Sequence, residues 1–458
     1  MKSPITLLIG IIILSVFLNF YMLGSLHPFI GDQGWFYVSA RDLINGQIPL
    51  VGITASYTWL SQGALWTYML APFLYIFNFD PVGGAYLSAI LGVLSVLIIY
   101  ILAKEMFKSE EMALISAALL AVSPLSIAFF RMPYHTSPIP LAILIFIYAI
   151  YKFSSGKYYY LVLASFMLGI LYNLALVTMV FWVLTFIILI KVRYFNFKLY
   201  LASFFAFLVP MIPMILYDFR QFSGFYQLTA LPRLIKVGLF DSGGFNPRVY
   251  LNVFESLLVY NQLLIFTLNK VISFGILIFS LLFLIWQSTK RRKSDFSDAD
   301  FILGLWVFIP IIGIFINKTP SAAYLPMFYP GIILLIAYVF VKIIQRNIKL
   351  RPIIYALFLL IFLTNFYSVI STLYSTKTTR VVTISDNKRV AREIVERSQG
   401  KPYNLVSVGP GSEFENNLKN FEYLTWWMGN GPSEERESLK FNIEIVNGEI
   451  ILSNEEKN

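Results

Sequence analysis

Acids able to take a proton are scarce near the start of this chain. Between the first long apolar run and Lys104 they are Asp32, Asp42 and Asp80. Asp32 stands in GDQGWFYVSARDLIN with Asp42 further along it, and Asp80-Pro81 has the form of a turn before the next apolar run. A lone carboxylate at such a place either caps a helix or serves as a base. Cationic and hydroxyl groups suited to an anion lie at other segment ends. These are Arg131 and His135 in FFRMPYHTSP, with Lys318 and Tyr324 at the edge of YLPMFYPG. Their structural alternatives are an arginine snorkelling to headgroups, a histidine satisfied by backbone, and interfacial anchors. Asp218 and Arg220, closing PMIPMILYDFR, read first as a local ion pair and second as catalytic groups.

Composition narrows what this chemistry serves. The 458 residues are 58% hydrophobic with a mean hydropathy of +0.71, far beyond what a water-soluble core needs, so the chain reads as a polytopic membrane protein. With no cysteine, disulfides, thiolate zinc sites and a cysteine nucleophile are excluded. His27 and His135 are too few for a histidine metal cluster. Any metal would need carboxylates. The net charge of +10 falls wholly in residues 1–375, because 376–458 carry slightly more acids than bases. No basic-aromatic patch lies outside the apolar runs, which excludes nucleic acid.

Apolar runs near 5–23, 82–103, 112–130, 138–151, 159–173, 174–190, 199–217, 266–286, 301–316, 326–343 and 352–373 predict about eleven spans. Tyr172-Asn173 is the expected turn within 159–190. With the N-terminus inside, Lys104, Lys108, Lys152, Lys157, Lys191, Arg193, Lys198, the KRRK run at 290–293, Lys342, Arg346, Lys349 and Arg351 all fall in inner loops. This places the loops 24–81 and 218–265 and the C-terminal segment outside. The first run, lacking a small-x-small site before His27, reads as a retained anchor.

The positioning elements follow from periodicity. QGWFYVSARDLIN has the spacing of an interfacial helix stopped by Asn45-Gly46, which puts Asp32 at its N-cap. ASYTWLSQGALWTYMLAPFLYIF predicts a second interfacial helix, and the two would roof a cavity. Residues 376–458 predict a small α+β domain. In it RVVTIS is a strand, DNKRVAREIVERSQG a helix with Asp386 as cap and Gly400 as stop, and YNLVSVG a strand. FNIEIVNGEIILS is a hairpin about Asn447-Gly448. The aromatics of EYLTWWMGNGP read as packing. NKT at 317–319 is a sequon pressed against the membrane.

GDQGWFYVSARDLINGQIPLVG followed by QGALWTYMLAPFLYIFNFDPVGGAYLSAILGVLSVLIIYILAKEMF resembles the first outer loop and second span of GT-C membrane glycosyltransferases. Within them it resembles the protein O-mannosyltransferase and aminoarabinose transferase branch. The likeness continues weakly through 129–140, 210–220 and 322–338. It covers most of residues 1–375 and implies a GT-C-like transmembrane domain there in the plasma membrane, beside the extracytoplasmic domain over 376–458 that composition and charge asymmetry predict. It further implies a polyprenyl-phosphate sugar as donor and a protein, lipid or cell-envelope glycan as acceptor. The family's motif is an Asp-Glu pair whose Asp is essential. Here the pair is Asp32-Gln33, which keeps the first acid and leaves a divalent metal open.

Such chemistry needs few groups. The leaving group is already a phosphate, so a clamp of cations or hydroxyls suffices, for which Arg131, His135, Lys318 and Tyr324 are the candidates. The acceptor hydroxyl needs one base, Asp32, and direct displacement inverts the anomeric centre. The competing readings are a transporter or flippase of lipid-linked saccharides and a non-catalytic protein of the same fold. Transporters often show related halves, and no internal repeat is visible here.

Overall fold

Uniformly apolar runs become helices because a helix satisfies its backbone internally where no water is available. The computed structural model describes residues 3–54, 60–222, 247–290, 297–318, 321–374, 382–409, 412–414, 416–446 and 448–456. The KRRK run therefore lies largely outside the described residues, as does the central part of the loop 218–265. Among the described residues seven helical stretches are long and apolar enough to cross a membrane, or eight if a bent pair is one span; the first two are Pro4–Leu26, made of α1 (Pro4–Phe20) and α2 (Leu23–Leu26), and α5 (Val82–Phe107). The bent pair is α6 (Glu110–Val122) and α7 (Pro124–Phe130), which meet at 66° across Ser123. Proline at 124 cannot continue the ladder of the preceding turn.

The expected spans at 138–151, 159–173 and 174–190 are shorter apolar helices. They are α8 (Ile139–Ser154), α9 (Tyr160–Leu174) and the helical stretch Leu176–Val192, which contains α10 (Val180–Val192). The break lies at Ala175, whose backbone is extended, and not at Tyr172-Asn173. Asn173 is helical, and its Nδ2 donates to the Pro210 carbonyl at 2.8 Å, across 37 residues.

The chain divides into two compact units. One comprises Met1–Asn19, Leu91–Phe129 and His135–Val369. The other comprises Phe20–Ile90, Phe130–Tyr134 and Ile370–Asn458. The first holds most of the long apolar helices, including α11 (Phe197–Leu208), α12 (Ile212–Phe222), α13 (Pro247–Leu264), α14 (Lys270–Lys290), α15 (Asp298–Asn317), α16 (Tyr329–Arg346) and α17 (Arg351–Ser368).

The second unit joins the first loop to the C-terminal segment. α3 (Gly31–Ile44) ends before Gly46, whose φ of +94° suits glycine. In place of one long interfacial helix, Val51–Thr54 (β1) and Ser61–Gly63 (β2) pair antiparallel ahead of α4 (Leu65–Ile76). The RVVTIS stretch is not a strand over its described part. Thr383 makes an isolated bridge to Pro28, and α18 (Ile384–Ser398) begins at the next residue. Its cap is Thr383 and not Asp386; the Thr383 hydroxyl accepts from Asp386 N while the Asp386 carboxylate accepts from Thr383 N at 3.0 Å. Two orphan donors are thereby satisfied reciprocally. Thr383→Ala is expected to lower stability by about 1 kcal/mol, read as a drop in the unfolding midpoint of the purified protein.

β3 (Asn404–Val408) runs parallel to β4 (Leu439–Val446), which pairs antiparallel with β5 (Glu449–Glu456) in the order β3-β4-β5. The expected hairpin register is met, Val446 opposing Glu449. α19 (Lys419–Trp427) carries the aromatic stretch, with Tyr423 fully buried and its hydroxyl donating to the Phe79 carbonyl at 2.6 Å.

Candidate active site around Asp32

α3 begins where Ile30 leaves extended backbone. Asp32 is its second residue and not its cap. The capping work falls to Gln33, whose Oε1 accepts from Ile30 N at 2.9 Å. Gln33 is fully buried, and its Nε2 has no partner among the described residues. The Asp32 carboxylate sits in the first turn, where the positive end of the helix dipole favours negative charge.

A group overlooked in the sequence completes this position. Tyr134, in the turn between α7 and α8, donates its hydroxyl to Asp32 Oδ2 at 3.0 Å. Its ring meets Phe36 edge-on, with centroids 6.0 Å apart. Phe36 lies one helical turn beyond Asp32, so both contacts fall on one face of α3. Burial, reinforced by the neighbouring carboxylate, pushes the Tyr134 hydroxyl well above its ordinary pKa and keeps it a donor. Oδ1 of Asp32 accepts no hydrogen bond among the described residues, and the side chain is half-buried. Nothing in PYHTSP marks a tyrosine for this contact, since its partner is 102 residues away.

The opposite side of α3 is set by the C-terminal segment. A Cβ on Gly31 would lie 2.0 Å from the Asn416 carbonyl oxygen, and one on Gly34 2.1 Å from Asn420 N. Asn387 and Asn420 both donate to the Phe29 carbonyl, at 2.8 and 3.1 Å, and Asn420 also donates to Asn387 Oδ1 at 3.0 Å. Ile384 N donates to the His27 carbonyl at 2.9 Å. His27 is fully buried; burial pushes its imidazole down to about 4, against the opposing effect of its Nδ1 bond to the Leu23 carbonyl.

The remaining candidates are placed as follows. Arg131, in the same unit as Asp32, is buried and does not snorkel. Its Nη1 donates to the Tyr21 carbonyl at 2.8 Å and its guanidinium lies 5.0 Å from the Tyr374 ring centre. His135, Lys318, Tyr324, Asp218 and Arg220 belong to the other unit. His135 is buried, which pushes its pKa down to about 3 and leaves a neutral imidazole. Lys318 is the left-handed C-cap of α15, and Tyr324 lies on the 3₁₀ turn Ala322–Met327. Both are half-buried. Asp218 is buried and lines a cavity with Tyr172 and Met211. Arg220 is exposed and forms no ion pair among the described residues, so the expected local pair with Asp218 is not made. The same unit holds an apolar cavity of about 260 Å³ lined by Phe254, Leu257, Tyr260, Leu277, Phe328 and Ile332, among others.

At the Asp32-Gln33 pair the amide oxygen of Gln33 is committed to Ile30 N, which leaves the Asp32 carboxylate, one of whose oxygens accepts from a phenol, as the ligand a divalent cation would find there. Among the described residues no three acids or histidines converge.

The profile of a family described as dolichyl-phosphate-mannose-protein mannosyltransferase matches residues 61–217. Several solved chains share the architecture, ArnT and AglB among them. ArnT from Cupriavidus metallidurans, bound to undecaprenyl phosphate, aligns over 96% of this chain and 92% of its own, with a TM-score of 0.64 and 9% identity. The chain shares the fold of ArnT. The archaeal oligosaccharyltransferase AglB from Archaeoglobus fulgidus, in complex with an inhibitory peptide and a dolichol-phosphate, aligns over 93% of this chain with a TM-score of 0.53 and 13% identity. This chain spans 64% of AglB's length. No curated protein matches the chain by sequence.

Proposed function

We propose that this protein is an inverting membrane glycosyltransferase that moves a sugar from a polyprenyl-phosphate carrier to a hydroxyl acceptor. The observation that carries the reading is Asp32, a carboxylate at a helix N-terminus with one oxygen held and the other open. In the proposed reaction the acceptor O–H gives its proton to Asp32 and its oxygen bonds the anomeric carbon. The bond from that carbon to the phosphate oxygen breaks, and the electron pair leaves with the phosphate. A positioned base of this kind contributes roughly 10²–10⁴-fold.

The family match at 61–217 and the fold shared with ArnT support the reading. ArnT and AglB were each captured with a polyprenyl-type phosphate, the lipid class assigned here to the donor. The apolar cavity suits a prenyl chain, and Arg131, His135, Lys318 and Tyr324 are the candidates for the phosphate. Residues 1–375 form the membrane domain and 376–458 an extracytoplasmic domain. The N-terminus is cytoplasmic and the chemistry occurs on the outer face of the plasma membrane. Acceptors are proteins, lipids or envelope glycans.

A transporter of lipid-linked saccharides would use the same apolar cavity without breaking a bond, and a vesicle experiment separates the two. Protein reconstituted with a labelled polyprenyl-monophosphate sugar and membrane extract is expected to release free polyprenyl phosphate. Movement of intact donor across the bilayer without cleavage would overturn the transferase reading.

A further inference from the structure

We infer that Tyr134 is a positioning residue for Asp32, holding the carboxylate in one rotamer so that Oδ1 is the oxygen presented to the acceptor hydroxyl. The inference rests on the transferase reading and adds to it a residue outside the motif that contains Asp32. Three observations converge on it. The hydroxyl of Tyr134 lies 3.0 Å from Oδ2. Its ring contacts Phe36 on the same face of α3, so the turn grips the helix at two points one turn apart. Oδ1 accepts no bond among the described residues, so the two carboxylate oxygens are inequivalent.

An aspartate has two rotatable side-chain bonds, and an unrestrained carboxylate near a helix start swings between its own backbone and solvent. Fixing Oδ2 removes that freedom and leaves the more basic work to the other oxygen. Gln33 does not do this, because its Nε2, the group able to donate to a carboxylate, makes no hydrogen bond among the described residues. Burial supports the role by keeping the phenol protonated.

The test is saturation kinetics of Tyr134→Phe beside wild type, with a polyprenyl-monophosphate sugar that wild type turns over. The ring and its contact with Phe36 are retained. We expect kcat to fall by roughly 10- to 100-fold, with the donor KM within about twofold and the unfolding temperature unchanged, since only the orientation of the base is lost. Should the phenylalanine variant not fold, Tyr134→Met, which also lacks the donor, supplies the same reading. An unchanged kcat would overturn the inference, as would a raised KM with kcat preserved, which would make Tyr134 a donor-binding group. Failure of the underlying reading looks different, because wild type itself would then turn over no donor and both readings would fall.

Discussion

On the proposed function, Asp32→Asn is expected to abolish transfer, lowering turnover by roughly 10²–10⁴-fold, with the protein still folded and still binding its donor. The amide has the shape of the carboxylate, and its oxygen still accepts the Tyr134 hydroxyl 3.0 Å away. It cannot take a proton from the acceptor. The structural cost is small, because Asp32 is the second residue of α3 and the cap contact belongs to Gln33. Losing a negative charge in the first turn costs about 0.3–1 kcal/mol. The variant separates chemistry from folding, and its unfolding curve and donor affinity should be measured with its turnover. Near-normal turnover in Asp32→Asn would remove this residue as the base.

Gly34→Ala is expected to disable the protein by a different route. The added methyl would lie 2.1 Å from Asn420 N, 2.2 Å from Lys419 C and 2.4 Å from Asn420 Cα, all backbone atoms. Backbone cannot rotate away as a flexible side chain does, so α3 and the start of α19 must separate. Their separation pulls on the bonds from Asn387 and Asn420 to the Phe29 carbonyl just before Asp32. Overpacking usually costs about 1–3 kcal/mol, and a fully backbone clash belongs at or above that range. The expected signature is a lowered unfolding temperature, faster proteolysis within 382–456 and loss of turnover together. Gly275→Ala is the control, because its added methyl meets no atom within 4 Å. Wild-type stability in Gly34→Ala would show that the C-terminal segment does not clamp α3.

What the sequence showed and what it hid have physical causes. Long apolar runs are legible because a span needs apolarity all round and no particular partner. The hairpin about Asn447-Gly448 is legible because alternation and turn chemistry are local. The start of α3 was misplaced by two residues, since a glutamine reaching back from the third helical position leaves no serine or threonine to mark the cap. Residues 380–385 looked extended because Val381, Val382, Thr383 and Ile384 are β-branched. Thr383 and Asp386 nevertheless complete a capping box, which starts a helix there. Tyr134, Gly31 and Gly34 were illegible for one shared reason: their partners lie about a hundred or several hundred residues away, and nothing local announces them. The motif singles out Asp32 as a candidate, whereas the arrangement that leaves one of its oxygens open is a tertiary feature.

The most direct test of the central claim is release of free polyprenyl phosphate by purified wild-type protein from a panel of polyprenyl-monophosphate sugars, with native membrane extract as acceptor. Time-dependent release with at least one donor is expected, matched by sugar gained on the acceptor with inverted anomeric configuration. No release from any donor by folded, lipid-binding protein supplied with extract from its native membrane would contradict the claim.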